Sequence, residues 1–157
     1  MTKTTTLKKC LILLLSIVSL AAHAQIDVTT VAGRDNLYTD GTGDKARFNL
    51  PHGGAIDASG NIYVGDAGSY VIRKITPSGV VTTYAGTAGE SGATDGSLAL
   101  AKFGGPAGMA FDKGGNLFVA DQGNHKIRKI TPGGIVSTLA GSIRGTVDGK
   151  GIAAQFN

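Results

Sequence analysis

The residues best suited to chemistry in this 157-residue chain are carboxylates at regular places: Asp57 and Asp66 recur as Asp112 and Asp121, each 55 positions later. Repeated carboxylates can ligate a hard cation or divide acid and base roles between them. Asp also serves turns, because its side chain accepts hydrogen bonds from nearby backbone N–H groups. All four stand where a strand-like run enters a turn, and they recur from unit to unit, as turn residues should and catalytic residues need not. The expected role is structural. Asp40-Gly41-Thr42-Gly43-Asp44 and Asp148-Gly149-Lys150-Gly151 are oxygen-rich glycine turns of the kind that suits calcium. Neither has an EF-hand spacing, and the middle copy, Asp95-Gly96-Ser97-Leu98, offers one carboxylate, so shaped turns are expected. His52 and His125 sit at different points of the repeat and form no pair at metal spacing. There is no G-x-S-x-G nucleophile elbow and no phosphate-binding glycine loop of the GK[ST] type.

The elements that carry these residues are short and β-rich, with no ten-residue stretch of helical period. Val28 to Gly33 returns as Val81 to Gly86 and as Val136 to Gly141, at offsets of 53 and 55. Asp40-Gly41 returns as Asp95-Gly96 and Asp148-Gly149, and Ala46-Arg47-Phe48 as Ala101-Lys102-Phe103 and Ala154-Gln155-Phe156. Two copies are complete between these marks. Four strands per unit are expected, at about 54–57, 61–65, 70–76 and 80–85 in the first. Asp57-Ala58-Ser59-Gly60-Asn61 and Asp112-Lys113-Gly114-Gly115-Asn116 read as hairpin loops, with Gly60, Asn61, Gly115 and Asn116 as turn residues. Pro77-Ser78-Gly79 and Pro132-Gly133-Gly134 close the next hairpin. A four-stranded unit repeated along a chain is the pattern of a β-propeller blade.

Pro106 to Asp112, Gly115-Asn116-Leu117-Phe118-Val119-Ala120-Asp121 and Asn124-His125-Lys126-Ile127 resemble the consensus of NHL-repeat β-propellers. The resemblance covers the chain from about Asp27 onward. The first copy departs from it at Ser69-Tyr70-Val71, and the period of about 55 exceeds the ~40–45 of a comparable WD-type blade. The surplus lies in long crossings, Gly33 to Pro51 and Gly86 to Pro106. What the resemblance implies is an all-β propeller of about two full blades plus partial ones, with repeats at about 28–80, 81–135 and 136–157. Asp27 to Ala32 aligns with the last strand of a blade and the chain stops before the next inner strand, so an N-terminal part of a longer ring is expected. Some NHL proteins bind RNA through basic faces. Here Arg73, Lys74, Arg128 and Lys129 read as the solvated outer face of a strand.

Charge and address agree with that choice. Fifteen basic residues less Lys3, Lys8 and Lys9 leave twelve against eleven acidic ones, a net of +1 beyond residue 24, which makes no case for a polyanion. The three lysines precede an apolar run, Cys10 to Leu20, and an Ala22-His23-Ala24 site, the three parts of a cleaved signal peptide at 1–24. The run is too short to span a ~30 Å hydrocarbon core. The remainder, 25–157, has no cysteine and must fold without disulfides. The expectation is an exported binding or scaffold module, secreted, periplasmic or at the cell surface. Its contacts with a protein, glycan or small molecule would come from Arg34, Asp35, Tyr38, Glu90, Asn124 and His125. No cofactor and no nucleic-acid partner are expected. The alternative implied by the resemblance is a gluconolactonase-like metal hydrolase or an amidating-lyase-like enzyme, with a divalent ion such as calcium, completed by blades beyond this segment.

Overall fold

The computed structural model describes residues 38–157. The signal-like leader, the run from Asp27 to Ala32, and Arg34 and Asp35 lie outside the described residues. Ten strands follow: β1 Gly41–Thr42, β2 Pro51–Ile56, β3 Ile62–Asp66, β4 Val71–Ile75, β5 Val80–Ala85, β6 Gly96–Ser97, β7 Pro106–Phe111, β8 Leu117–Asp121, β9 Lys126–Ile130 and β10 Ile135–Ala140. They form two antiparallel sheets, β1-β5-β4-β3-β2 and β6-β10-β9-β8-β7. The fold is all-β, and each sheet is a four-stranded blade with a short strap on its outer edge.

Local chemistry places the turns. In the first hairpin the Asp57 carboxylate accepts the Ser59 and Asn61 backbone N–H groups at 2.9 Å and the Asn61 side-chain amide at 2.8 Å. Gly60 then turns at φ 81°, and Gly115 does the same at φ 78° beside Asp112. Side chains with a Cβ rarely adopt this conformation, which fixes glycine there. The inner strand begins at Pro51 and Pro106, three residues before the sequence pattern indicated, with a register shift before the hairpin proper. Proline has no N–H to donate and suits such a first strand position.

The crossings differ more from expectation. Each runs along the outer edge of the blade that follows it and adds a two-residue strand: Gly41 pairs with Val81 and Thr42 with Val80, and the second blade repeats this at Val136↔Gly96 and Ile135↔Ser97. The strap covers an edge that would otherwise offer unpaired backbone groups.

Arg73 and Arg128 are not solvated, which corrects the outer-face reading: both are fully buried. Arg73 donates to the backbone oxygens of Arg47 (2.8 Å) and Thr39 (2.9 Å) and to the carboxylates of Asp66 (3.1 Å) and Asp40 (2.7 Å). Arg128 repeats the set with Lys102 (2.8 Å), Thr94 (2.9 Å), Asp121 (3.0 Å) and Asp95 (2.6 Å). Each guanidinium also lies over a ring, 4.8 Å from Phe48 or 5.2 Å from Phe103. Two carboxylates, two carbonyls and an aromatic face compensate the desolvated charge, and so lock the crossing onto its sheet.

The blades meet along β2, β3 and β7. Tyr63, Ile72, Ala85, Phe103, Leu117, Val119, Ile130 and Val136 form the main core cluster. Gly65 marks the closest approach, since a Cβ there would lie 2.2 Å from the Pro106 carbonyl oxygen. No helix among the described residues is long and apolar enough to cross a membrane.

Candidate functional site

At the hairpin end of the blade interface lies a cleft of about 330 Å³, lined by Asp57, Ser59, Tyr63, Tyr84, Phe111, Asp112 and Lys113 among others. Its floor is aromatic: the Tyr63 ring stands edge-on to Tyr84 at 4.8 Å and to Phe111 at 5.1 Å. The Tyr63 hydroxyl donates to Asp57 at 3.2 Å. The Tyr84 hydroxyl has no hydrogen-bond partner among the described residues, and neither does the Lys113 ammonium. β3 brings Tyr63 and β5 brings Tyr84 from the first blade, while β7 and its hairpin bring Phe111, Asp112 and Lys113 from the second.

The protonation states are settled at neutral pH. The Asn61 side-chain amide, together with the Asn61 and Ser59 backbone N–H groups, outweighs slight desolvation and holds Asp57 below the ordinary carboxylate value. Asn116 does the same for Asp112, helped by the Lys129 charge. Burial and the Asp57 charge push the Tyr63 phenol up to about 12 and raise Tyr84 as well. None of these groups is poised near neutrality, where proton-transfer catalysis is most efficient. The cleft is therefore equipped to hold a ligand: carboxylates to accept, a phenol to donate or accept, an ammonium, and aromatic edges to cover an apolar surface.

The residues singled out from sequence go elsewhere. Tyr38 hydrogen-bonds the Thr83 hydroxyl and lies 4.6 Å from the Arg73 guanidinium, so it is part of the crossing lock. Glu90 pairs with Lys102 at 2.9 Å on an exposed stretch. Asn124 donates to Gly92 O and to Asp121, both at 2.6 Å, and thus ties the second crossing to its blade. His125, at φ 53°, ends a short turn and lines a separate hollow with Ala120, Asp121 and Phe156. Arg34 and Asp35 lie outside the described residues. Of the repeated carboxylates, Asp57 and Asp112 reach the cleft, while Asp66 and Asp121 face the buried arginines. No group of three or more His, Cys, Asp or Glu side chains that could hold a metal exists among the described residues.

The sequence did hold a signal for the cleft. Tyr63, Tyr84, Ser59 and Ala58 stand where the second copy has Phe118, Leu139, Gly114 and Lys113. The places where the two copies diverge include the two hydroxyl-bearing rings of the cleft, whereas the turn and lock residues repeat.

Two five-stranded sheets, each a blade packed on its neighbour by the inner strands, define a β-propeller segment. Residues 103–130 match the NHL-repeat family model. The chain is 39% identical over 101 residues to Protein SUPPRESSOR OF QUENCHING 1, chloroplastic, of Arabidopsis thaliana, covering 61% of this chain and 10% of that protein. It is 34% identical over 92 residues to NHL repeat-containing protein 2 of Homo sapiens, covering 57% of this chain and 13% of that one. Among solved structures, an auxiliary nutrient binding protein from Bacteroides thetaiotaomicron VPI-5482 superposes with TM-score 0.59 at 30% identity, over 69% of this chain and 28% of that chain. The chain carries an NHL repeat at residues 103–130, and it spans about a tenth of the length of the curated relatives it matches.

Proposed function

We propose that the chain is part of an exported NHL-propeller binding module whose inter-blade cleft takes a small hydroxylated ligand, with a sugar as the model class. The observation that carries this reading is the Tyr63–Tyr84 pair: two edge-packed phenols of the first blade, replaced by Phe118 and Leu139 in the second, at a cleft flanked by Asp57 and Asp112. The similarity to a nutrient binding protein supports a binding role, and the leader at 1–24 supports export.

Calorimetric titration of the full-length protein with a panel of mono- and oligosaccharides tests the ligand. Tyr84→Leu and Tyr63→Phe install the residues of the second blade, so the fold should persist while affinity for any sugar bound falls roughly tenfold or more, the loss of about one good hydrogen bond. Sugar binding that both variants leave unchanged would place the site elsewhere. The intact mass of the native secreted protein tests export, with Gln25 expected as its first residue.

A further inference from the structure

The third crossing holds the acceptors of an arginine lock without the arginine. In the first two crossings a guanidinium is received by a carboxylate (Asp40 or Asp95), two backbone oxygens (Thr39 and Arg47, or Thr94 and Lys102) and a ring (Phe48 or Phe103). The repeat places Asp148, the carbonyls of Val147 and Gln155, and Phe156 at the corresponding positions. The backbone has taken the same shape. Gln155 N donates to Val147 O at 2.9 Å, as Arg47 N does to Thr39 O at 2.9 Å and Lys102 N to Thr94 O at 3.1 Å. Gly145 N donates to Phe156 O at 3.0 Å, as Gly92 N does to Phe103 O at 3.2 Å, and the Arg144↔Phe156 bridge matches Ser91↔Phe103.

What differs is occupancy. Phe103 is fully buried, whereas Phe156 is 38% exposed and lines a hollow of about 510 Å³ with Asp148, Ala154 and Gln155. The Asp148 carboxylate has no hydrogen-bond or ion-pair partner among the described residues. The nearby Arg144 is engaged elsewhere, its Nε donating to the Asn157 side-chain oxygen at 2.7 Å.

We infer that Asp148, Val147 O, Gln155 O and Phe156 form a receptor for a guanidinium, and that its occupant is an arginine on the third strand of a further four-stranded unit of the same polypeptide. A strand is favoured over a free arginine because the second carboxylate oxygen of each occupied lock accepts a backbone N–H from the adjacent strand, Thr83 at 3.1 Å or Thr138 at 3.0 Å. Only a sheet supplies both donors. The outer face of the second blade suits such a neighbour. Ala107, Ala120, Ile127 and Phe156 line a hollow there, and Ala120 occupies the repeat position of Gly65, which meets β7 in the blade pair described.

The test uses the full-length protein with Asp148→Asn, Phe156→Leu, Asp95→Asn as the occupied counterpart and Asp44→Asn as the exposed control. Thermal unfolding should show Asp148→Asn lowering Tm by several degrees, roughly 3–8 °C, as Asp95→Asn does, with Asp44→Asn silent. In nitrogen-15 NMR one set of slowly exchanging arginine side-chain signals should vanish in Asp148→Asn and shift in Phe156→Leu, a change that general loss of stability does not produce. If Asp148→Asn does not fold, the Phe156→Leu spectrum decides. Absence of any arginine signal responding to either variant overturns the inference, as does a stabilisation that depends on protein concentration, which would mark a second copy as the occupant.

Discussion

Replacing Arg128 by Met removes the head of a fully buried guanidinium while keeping most of the stem volume, so the cost reports on the lock. Four hydrogen bonds disappear, two to carboxylates and two to backbone oxygens. The buried Asp121 keeps the Gly104 N–H at 2.8 Å and the Asn124 amide at 2.6 Å, but its charge loses its counterion. Asp95 is half-exposed and partly rehydrates, and Thr94 O retains the Lys102 N–H. Breaking a buried pair from one side costs about 3–5 kcal/mol, and the surviving donors to Asp121 place this case near ~3 kcal/mol. Urea unfolding of the full-length protein measures it, with Lys129→Met on the same strand as the comparison, expected within ~0.5 kcal/mol of wild type. Native-state hydrogen exchange adds location: the Thr138 and Gly104 amides, which donate to Asp95 and Asp121, should lose protection before the hairpins do. A cost below ~1 kcal/mol would refute the claim that the arginine fastens the crossing.

Two further outcomes follow from contacts already described. Gly65→Ala would drive a Cβ to 2.2 Å from Pro106 O, so the blades must part; a loss of more than ~2 kcal/mol is expected in urea unfolding. The Tyr63 phenol, raised from 10.0 to about 12 in the folded state, contributes stability that is full below pH 10 and is lost as pH rises from 10 toward about 12. Ultraviolet titration should show late-ionising tyrosine absorbance whose component at about 12 is removed by Tyr63→Phe.

Much of this architecture could be read from residue types. Alternating β-rich runs and Asp-x-x-Gly-Asn turns mark the hairpins, because the same Asx hydrogen bonds that favour those residues build the turn. The outer strap was invisible: Gly41-Thr42 and Gly96-Ser97 are two-residue strands with no period to detect. Arg73 and Arg128 misled because charge argues for solvent, while their acceptors come from residues up to 34 positions away in sequence. Tyr38 and Asn124 looked available for binding because neither repeats, yet the first caps one lock and the second ties the other crossing. Tyr63 and Tyr84 sit among apolar strand residues and pass for core by pattern alone. Only their mismatch with Phe118 and Leu139 separates them, and the space beside them is a property of the packed blades.

The way each crossing straps the blade after it also sets a clock for synthesis. Asp95 must wait for Thr138, 43 residues downstream, before its hydrogen bonds can form. At the ~5–20 residues per second of translation that delay is roughly 2–9 s, during which the strap has been made but the strand it covers has not. A ribosome pause placed within that interval would prolong the time the strap spends unpaired, whereas one placed just beyond Thr138 would follow synthesis of its partner strand.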